Sequence, residues 1–294
     1  MALSGFINLL KPPGMSSHDV VGFVRKVLKE KRVGHAGTLD PAAAGVLPIA
    51  VGQAARLIEY LEITDKAYIA EISLGISTDS GDDTGEILER QNFVMPGTSA
   101  IETALAKFRG PIKQIPPAHS AIKIDGKKAC DLIRQGHDVD IPAREVIIHR
   151  LELLSCRKGG FRIEVVCSKG TYIRSLCMDI GEALEIPALM SFLVRLKVGN
   201  FTLEDSLTLE EFEAQGADAV LAPEPFLHHL PRYDLRPDRM NAFQNGLATK
   251  DRFYKGTEGP LRVYAEGTFL GIGSYSIKDQ SVKPHKVVHG AERN

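Results

Sequence analysis

A carboxylate and an imidazole stand five residues apart, His35 before Asp40, within GHAGTLDPAAAGVLPIAVG, residues 34–52. Glycine and proline interrupt any helical or strand period there, so the segment reads as a tight loop whose apolar end, Val46 to Val51, ties it to a core. A carboxylate displayed on a braced turn can attack an electrophilic carbon or take a proton, and function concentrates on loops of this kind. The plainer reading makes Asp40 a backbone cap and His35 a surface residue. Two further groups have suitable chemistry. Arg174 lies in SKGTYIRSLCMDIG, where a strand ending near residue 171 would pass into a helix whose first turn aims a guanidinium, although an arginine there can equally pair with Asp179. Tyr68 lies in KAYIAEISL, an alternating run that puts Tyr68, Ala70 and Ile72 on one face, as a site residue or as an interior aromatic.

Other clusters point away from metal chemistry. Residues 78–85, TDSGDDTG, gather carboxylates but lack the D-x-[DN]-x-[DN]-G spacing of a calcium loop, so they read as a solvated turn. Cys130, Cys156, Cys167 and Cys177 form no C-x-x-C pair and have no histidine at zinc spacing. They are expected as free or buried thiols in a reducing compartment, and no metal site is expected.

The elements that must position these groups are legible as patterns. Residues 5–11 read as a strand stopped by Pro12-Pro13-Gly14. Ser16, Ser17 or Asp19 can cap a helix through about Leu28, with Val20, Val21, Val24, Val27 and Leu28 near helical spacing. Its basic end, Arg25 to Arg32, feeds into the Asp40 loop, where it complements the helix dipole and also brings positive charge to the site. Residues 53–61 and 97–109 look helical, and Val146 to Leu154 and Phe161 to Cys167 look like strands. Residues 114–128, QIPPAHSAIKIDGKK, read as an extended stretch with a turn at Asp125-Gly126.

Composition sets the class. With 294 residues, 44% hydrophobic and 25% charged, the chain has room for one large domain and one small one. No signal-type leader and no run of about 18 apolar residues is present, so a soluble, cytoplasmic protein with no membrane association is expected. The net charge of -1 excludes coating of nucleic acid by bulk positive potential, but the charge is segregated. Residues 105–128 hold Lys107, Arg109, Lys113, Lys123, Lys127 and Lys128 against Asp125 alone, whereas residues 201–225 hold acids and no Lys or Arg. That pattern fits one anion-facing side, or merely a solvated basic face. Residues 226–294 carry short apolar runs broken by glycine, the pattern of a small β-barrel.

The residue 34–52 motif resembles the catalytic-aspartate motif of the TruB family, the tRNA pseudouridine-55 synthases, with Ala44 where Thr or Ser is expected. Three later segments are similar to the family in the same order: Q-x-P-P-x-Y-S-A-x-K, here with His119 for the Tyr and Cys130 at a second aromatic place; G-T-Y-I-R-S-L around Arg174; and R-x-x-x-G-x-F at Arg195 to Phe201. Gly246, Gly267 to Gly273 and Lys283-Pro284 resemble a PUA domain. The resemblance implies an α+β fold: a catalytic domain over residues 1–225 with a mixed, mainly antiparallel central sheet and an RNA-gripping insertion at about 105–145, then a barrel-like PUA domain over 226–294. It implies Asp40, Tyr68 and Arg174 as catalytic residues. His35, Gly37, Thr38, Lys66, Lys123, Lys127 and Lys128 would contact RNA or flip the base. The expected substrate is the T-arm of tRNA, the expected state a monomer, and no cofactor is called for because the isomerisation is redox-neutral.

Chemistry supports those assignments. A carboxylate buried under a flipped base tends to protonate unless a fixed cation holds its charge, and an arginine fork stays charged when buried. A uridine within a folded RNA loop must be extruded before its sugar can be reached, and His35 could fill the gap. Two rivals remain open from sequence: a non-catalytic RNA-binding protein of the same fold, and a guide-RNA-dependent synthase acting on ribosomal RNA. A glycosidase-like hydrolase would need a partner carboxylate, for which only Asp79 to Asp83 offer themselves.

Overall fold

The computed structural model describes residues 3–62, 65–117 and 141–288, together with the backbone of 123–124 and 127–128. The apolar run expected as the first strand forms β1, Gly5–Lys11, and nearly all of it is buried. Ser16 then caps α1, Ser17–Leu28, through a reciprocal box with Asp19, which satisfies two of the helix's orphan amides. Ser17, Val20, Val21 and Val24 are the buried residues of α1. The valines pack with Ile7, Leu9, Leu47 and Ile49 in one core cluster. Each such side chain contributes about 1.5–3 kcal/mol when fully withdrawn from water.

The residue 34–52 segment is strand, loop and strand: β2, Val33–His35, and β3, Ala44–Val51, pair antiparallel, with residues 36–43 looped between them. A run of 3-10 turns, Gly52–Tyr60, leads to β4, Asp65–Leu74, where Tyr68, Ala70, Ile72 and Leu74 face inward as the alternation requires. A hairpin of β5, Ile76–Thr78, and β6, Ile87–Arg90, precedes α2, Thr98–Ala106, and β7, Gly110–Gln114. The short strands β8, Lys123–Ile124, and β9, Lys127–Lys128, pair with each other. Then come β10, Arg144–Arg157, β11, Gly160–Ser168, α3, Ile173–Ala183, β12, Ala188–Val198, and β13, Phe201–Thr202.

Among the described residues nine strands make one sheet, in the order β1-β3-β12-β4-β11-β10-β7 with β2 beside β3 and β13 beside β12. All its pairings are antiparallel except β3 with β12, where Ala44 meets Val194 and Gly45 meets Arg195. The sheet is thus mixed and mainly antiparallel, with helices segregated on it, an α+β fold. One face is buried under α2 and α3: Ile72, Phe161, Ile163, Leu105, Leu176 and Ile180 share a cluster with Tyr68. Truncating Phe161 to Ala would cost about 3–5 kcal/mol.

The acidic stretch 201–225 is part of this core. It carries α4, Leu209–Gln215, whose Phe212 is fully buried and meets Phe23 edge-on at 6.2 Å. Leu207 and Leu221 exchange backbone hydrogen bonds with β1, closing an edge that would otherwise be open.

Residues 232–287 form a second sheet of five strands, ordered β14-β16-β17-β18-β15: Arg232–Asp234, Gly259–Ala265, Thr268–Ser276, Ser281–Val287 and Thr249–Lys250. It joins the first sheet through a shared cluster in which Phe6, Ala54, Leu57 and Phe201 meet Leu227, Tyr264 and Ile272. Phe201 and Phe226 stack at 4.4 Å across that seam. Among the described residues no helix is long and apolar enough to cross a membrane.

Candidate active site

The loop between β2 and β3 carries almost no regular hydrogen bonding of its own, so its backbone must be satisfied from elsewhere. Buried polar side chains do much of this. Arg195 on β12 donates from Nη2 to the Gly37 carbonyl at 3.2 Å and from Nη1 to that of Thr38 at 3.1 Å. Ser17 holds Leu39 on both sides, accepting from its amide at 2.9 Å and donating to its carbonyl at 3.0 Å. Ala43 N donates to the Asp40 carbonyl at 3.1 Å. Lys11 Nζ donates to the carbonyls of Pro41, Pro12 and Met15 at 3.1, 2.9 and 2.6 Å. Every carbonyl from Gly37 to Pro41 is therefore engaged, and the Asp40 side chain projects from a loop with little freedom to turn.

Its partner comes from far downstream. Arg174, in the first turn of α3 and 7% exposed, places Nε 3.2 Å from Asp40 Oδ2. The same guanidinium donates from Nη1 to the Ser80 carbonyl at 2.9 Å and lies 3.6 Å from Asp82 Oδ2. A fork meeting two carboxylates and a carbonyl has its direction fixed, which an ammonium could not achieve. The Asp40 side chain is 38% exposed, so this carboxylate is held on one side and open on the other.

The 78–85 turn, read from sequence as solvated, is so at Asp79, Asp83 and Thr84, but Thr78, Ser80 and Asp82 are buried. Asp82 accepts from Ser80 Oγ at 2.7 Å, Thr84 Oγ1 at 2.6 Å and Thr84 N at 3.0 Å. Burial alone would raise its carboxyl, but those hydrogen bonds, with Arg174 nearby, hold it below the ordinary value. The physical reason for the difference from expectation is Arg174, a countercharge that lies remote in sequence.

Tyr68 on β4 is buried, and burial pushes its phenol up to about 12 even though the charge of Arg195, its cross-strand neighbour, pulls the other way. Lys66 sits at the same end of β4, and a Cβ placed on Gly37 would lie 3.7 Å from its Nζ, so the ammonium borders the loop. Burial and then Arg195 lower its pKa. His35 ends β2, and burial, then Arg195 and His18, lower its pKa. An imidazole kept neutral in this way is suited to stacking. The structure thus brings together Asp40, Arg174, Tyr68, His35, Gly37, Thr38 and Lys66. The side chains of Lys123, Lys127 and Lys128, together with His119 and Cys130, lie outside the described residues.

Residues 25–173 match the family model described as TruB family pseudouridylate synthase, N-terminal domain, and residues 174–226 match that of the tRNA pseudouridylate synthase B C-terminal domain. The chain belongs to the TruB family. A protein named tRNA pseudouridine synthase B from Heliobacterium mobile is 42% identical over 297 residues, covering 99% of this chain and 96% of that one. One of the same name from Symbiobacterium thermophilum is 48% identical over 233 residues, 78% of each chain. Among solved structures, a Cbf5-Nop10-Gar1 complex superposes with a TM-score of 0.72 at 26% identity, covering 97% of this chain and 85% of that one. This TruB-family chain is accordingly a pseudouridine synthase by descent and by fold.

Sequence reasoning missed three site residues: Lys11, Asp82 and Arg195. Lys11 and Arg195 are both 0% exposed. Each is a charged residue at an inward position of an apolar strand, FINLLK and ALMSFLVRLKV, and that interruption was the available signal.

Proposed function

We propose that this chain converts a uridine in the T-loop of tRNA, position 55, to pseudouridine without metal or cofactor. The observation that carries this reading is the ion pair of buried Arg174 with half-open Asp40, 3.2 Å apart, on a loop whose carbonyls from Gly37 to Pro41 are all engaged. Relatives named tRNA pseudouridine synthase B at 42% and 48% identity support tRNA as the substrate over a guide-directed RNA.

The reaction is an isomerisation and must balance internally. The C1′–N1 bond breaks and its electron pair leaves with uracil, the ring turns, C5 bonds to C1′, N1 gains a proton and C5 gives one up. Asp40 serves this either by attacking C1′ to give a sugar ester or by taking the C2′ proton to give a glycal; attack at C6 of the base is a third route. Arg174 keeps the carboxylate anionic while a base covers it. Tyr68 stacks on the uracil with its hydroxyl near C5, and a phenol held up at about 12 relays a proton instead of carrying a resident negative charge. His35 fills the space the extruded base leaves. Gly37, Thr38 and Lys66, with Lys123, Lys127 and Lys128, meet the RNA backbone.

In the same reading residues 1–225 form the catalytic domain, with its RNA-gripping insertion at about 105–145. Residues 226–294 form a PUA-like RNA-binding domain, a role supported by their short strands and by Lys and Arg in excess of Asp and Glu. The protein acts as a cytoplasmic monomer. Incubation with an unmodified tRNA transcript and nucleotide-resolution mapping tests the proposal: an isomerised uridine at position 55 is expected, and modification elsewhere or nowhere would overturn it.

A further inference from the structure

Arg195 is a fully buried cation that the reaction, as written above, does not use. It stands where β12 is sandwiched between β3 and β4, its Cα paired with Gly45 on one side and Tyr68 on the other. The parallel pairing of β3 with β12 covers only Ala44 and Gly45. Where the strands part, Arg195 Nε donates to the next carbonyl, Val46 O, at 2.8 Å. Its two terminal nitrogens take the Gly37 and Thr38 carbonyls, and the phenol of its cross-strand neighbour Tyr68 lies close enough to act on its charge. One rigid fork thereby ties the start and the end of the Asp40 loop to a single point beside the phenol.

This close approach has a backbone requirement. Gly45 has φ +120, and a Cβ there would lie 2.2 Å from the Arg195 carbonyl oxygen and 2.5 Å from its amide nitrogen. Only glycine lets β3 meet β12 closely enough for the fork to reach the loop. The cost of burying this charge is met by carbonyl dipoles and the phenol, with Asp40 acting on it through space. A buried charge retained at such a point is unnecessary for stability alone, since an apolar side chain of similar volume often serves a core as well.

We infer that Arg195 is a positioning residue for the isomerisation, holding the Asp40 loop and the Tyr68 ring in register with each other so that carboxylate and phenol address one nucleotide together. The inference rests on the proposed reaction. Arg195→Lys keeps the charge but loses the fork, so it separates register from electrostatics. The test measures single-turnover conversion of an unmodified tRNA transcript, tRNA affinity, thermal melting and amide exchange at residues 36–47, for Arg195→Lys alone and in a Tyr68→Phe background.

The expected result is a loss of about 100-fold in turnover, affinity within about threefold and faster exchange at 36–47, with the turnover loss shrinking to about tenfold once the phenol is gone. Equal losses in turnover and affinity, full additivity with Tyr68→Phe, or unchanged exchange at 36–47 would each overturn it. If the wild-type chain isomerises no uridine, the proposed reaction fails by itself, and the exchange measurement still decides whether Arg195 holds the loop. Should Arg195→Lys fail to fold, the guanidinium NMR signal of Arg195 in the otherwise native chain must shift in Tyr68→Phe, and no shift would refute the coupling.

Discussion

Two acidic loops converge on Arg174, and they treat their carboxylates in opposite ways. Asp82 is enclosed, its side chain 11% exposed, with Oδ1 taken by Ser80 and Thr84 and Oδ2 turned to Arg174. Asp40 is 38% exposed, and its loop is tied down through the backbone, which leaves the side chain partly open to solvent. The same residue type at 3.6 and 3.2 Å from one guanidinium therefore supports two roles. A satisfied carboxylate aims the arginine, and an open one can react. What separates them is where the hydrogen bonds go, to the side chain in one loop and to the main chain in the other.

The comparison can be broken in graded ways. Asp40→Asn should reduce pseudouridine formation by about 10⁴-fold or more while tRNA affinity stays within about threefold, read by single-turnover assay and filter binding. Arg174→Lys should cost about 10³-fold in turnover with a small change in binding, because a lysine cannot face both carboxylates and Ser80 together. Equal losses in both measurements would make Arg174 a phosphate contact.

Asp82→Asn should cost about 10- to 100-fold in turnover and about 1–3 kcal/mol in stability, since its amide would present a donor to Arg174 and leave a buried network half satisfied. The folded-state pKa of Asp82 is lowered, so its stabilisation is fully present above the ordinary value of 3.8 and is lost as pH falls through the folded value. Melting curves of the wild type and Asp82→Asn should accordingly converge in acid.

The smallest effect belongs to Lys11. Burial pushes its ammonium down to about 8, with Asp40 pulling upward and Arg195 adding repulsion. As it loses its proton it loses a donor to the loop, so turnover should decline a few-fold above about pH 8. This limb is not unfolding at Lys11. The folded value lies below the ordinary 10.5, so the native state sheds the proton first, and raising pH from about 8 towards 10.5 favours the fold through this group. Turnover and melting temperature measured on the same samples would separate the two.

Much of this arrangement was legible in the sequence because it is local. The Ser16 cap, the alternation that turns Tyr68 inward, the loop punctuated by glycine and proline, and the helix start that aims Arg174 are each written within a few neighbouring residues. The unread part is non-local. Asp82 looks solvated until Arg174 arrives from α3, and Lys11 and Arg195 look like strand residues until the loop carbonyls they bind are in place. Likewise, the acidic composition of 201–225 concealed Phe212 and the backbone pairing that closes the β1 edge. Periodicity reports which face is buried, but not which distant charge makes a buried polar group tolerable.

The most direct test is a crystal structure of the wild-type chain with an unmodified T-arm stem-loop bound. One uridine should be extruded over Tyr68, with His35 in the vacated gap and the ribose C1′ or C2′ within about 3.5 Å of the Asp40 carboxylate. A loop uridine left in its stack, or a phosphate in place of the sugar at Asp40, would contradict it.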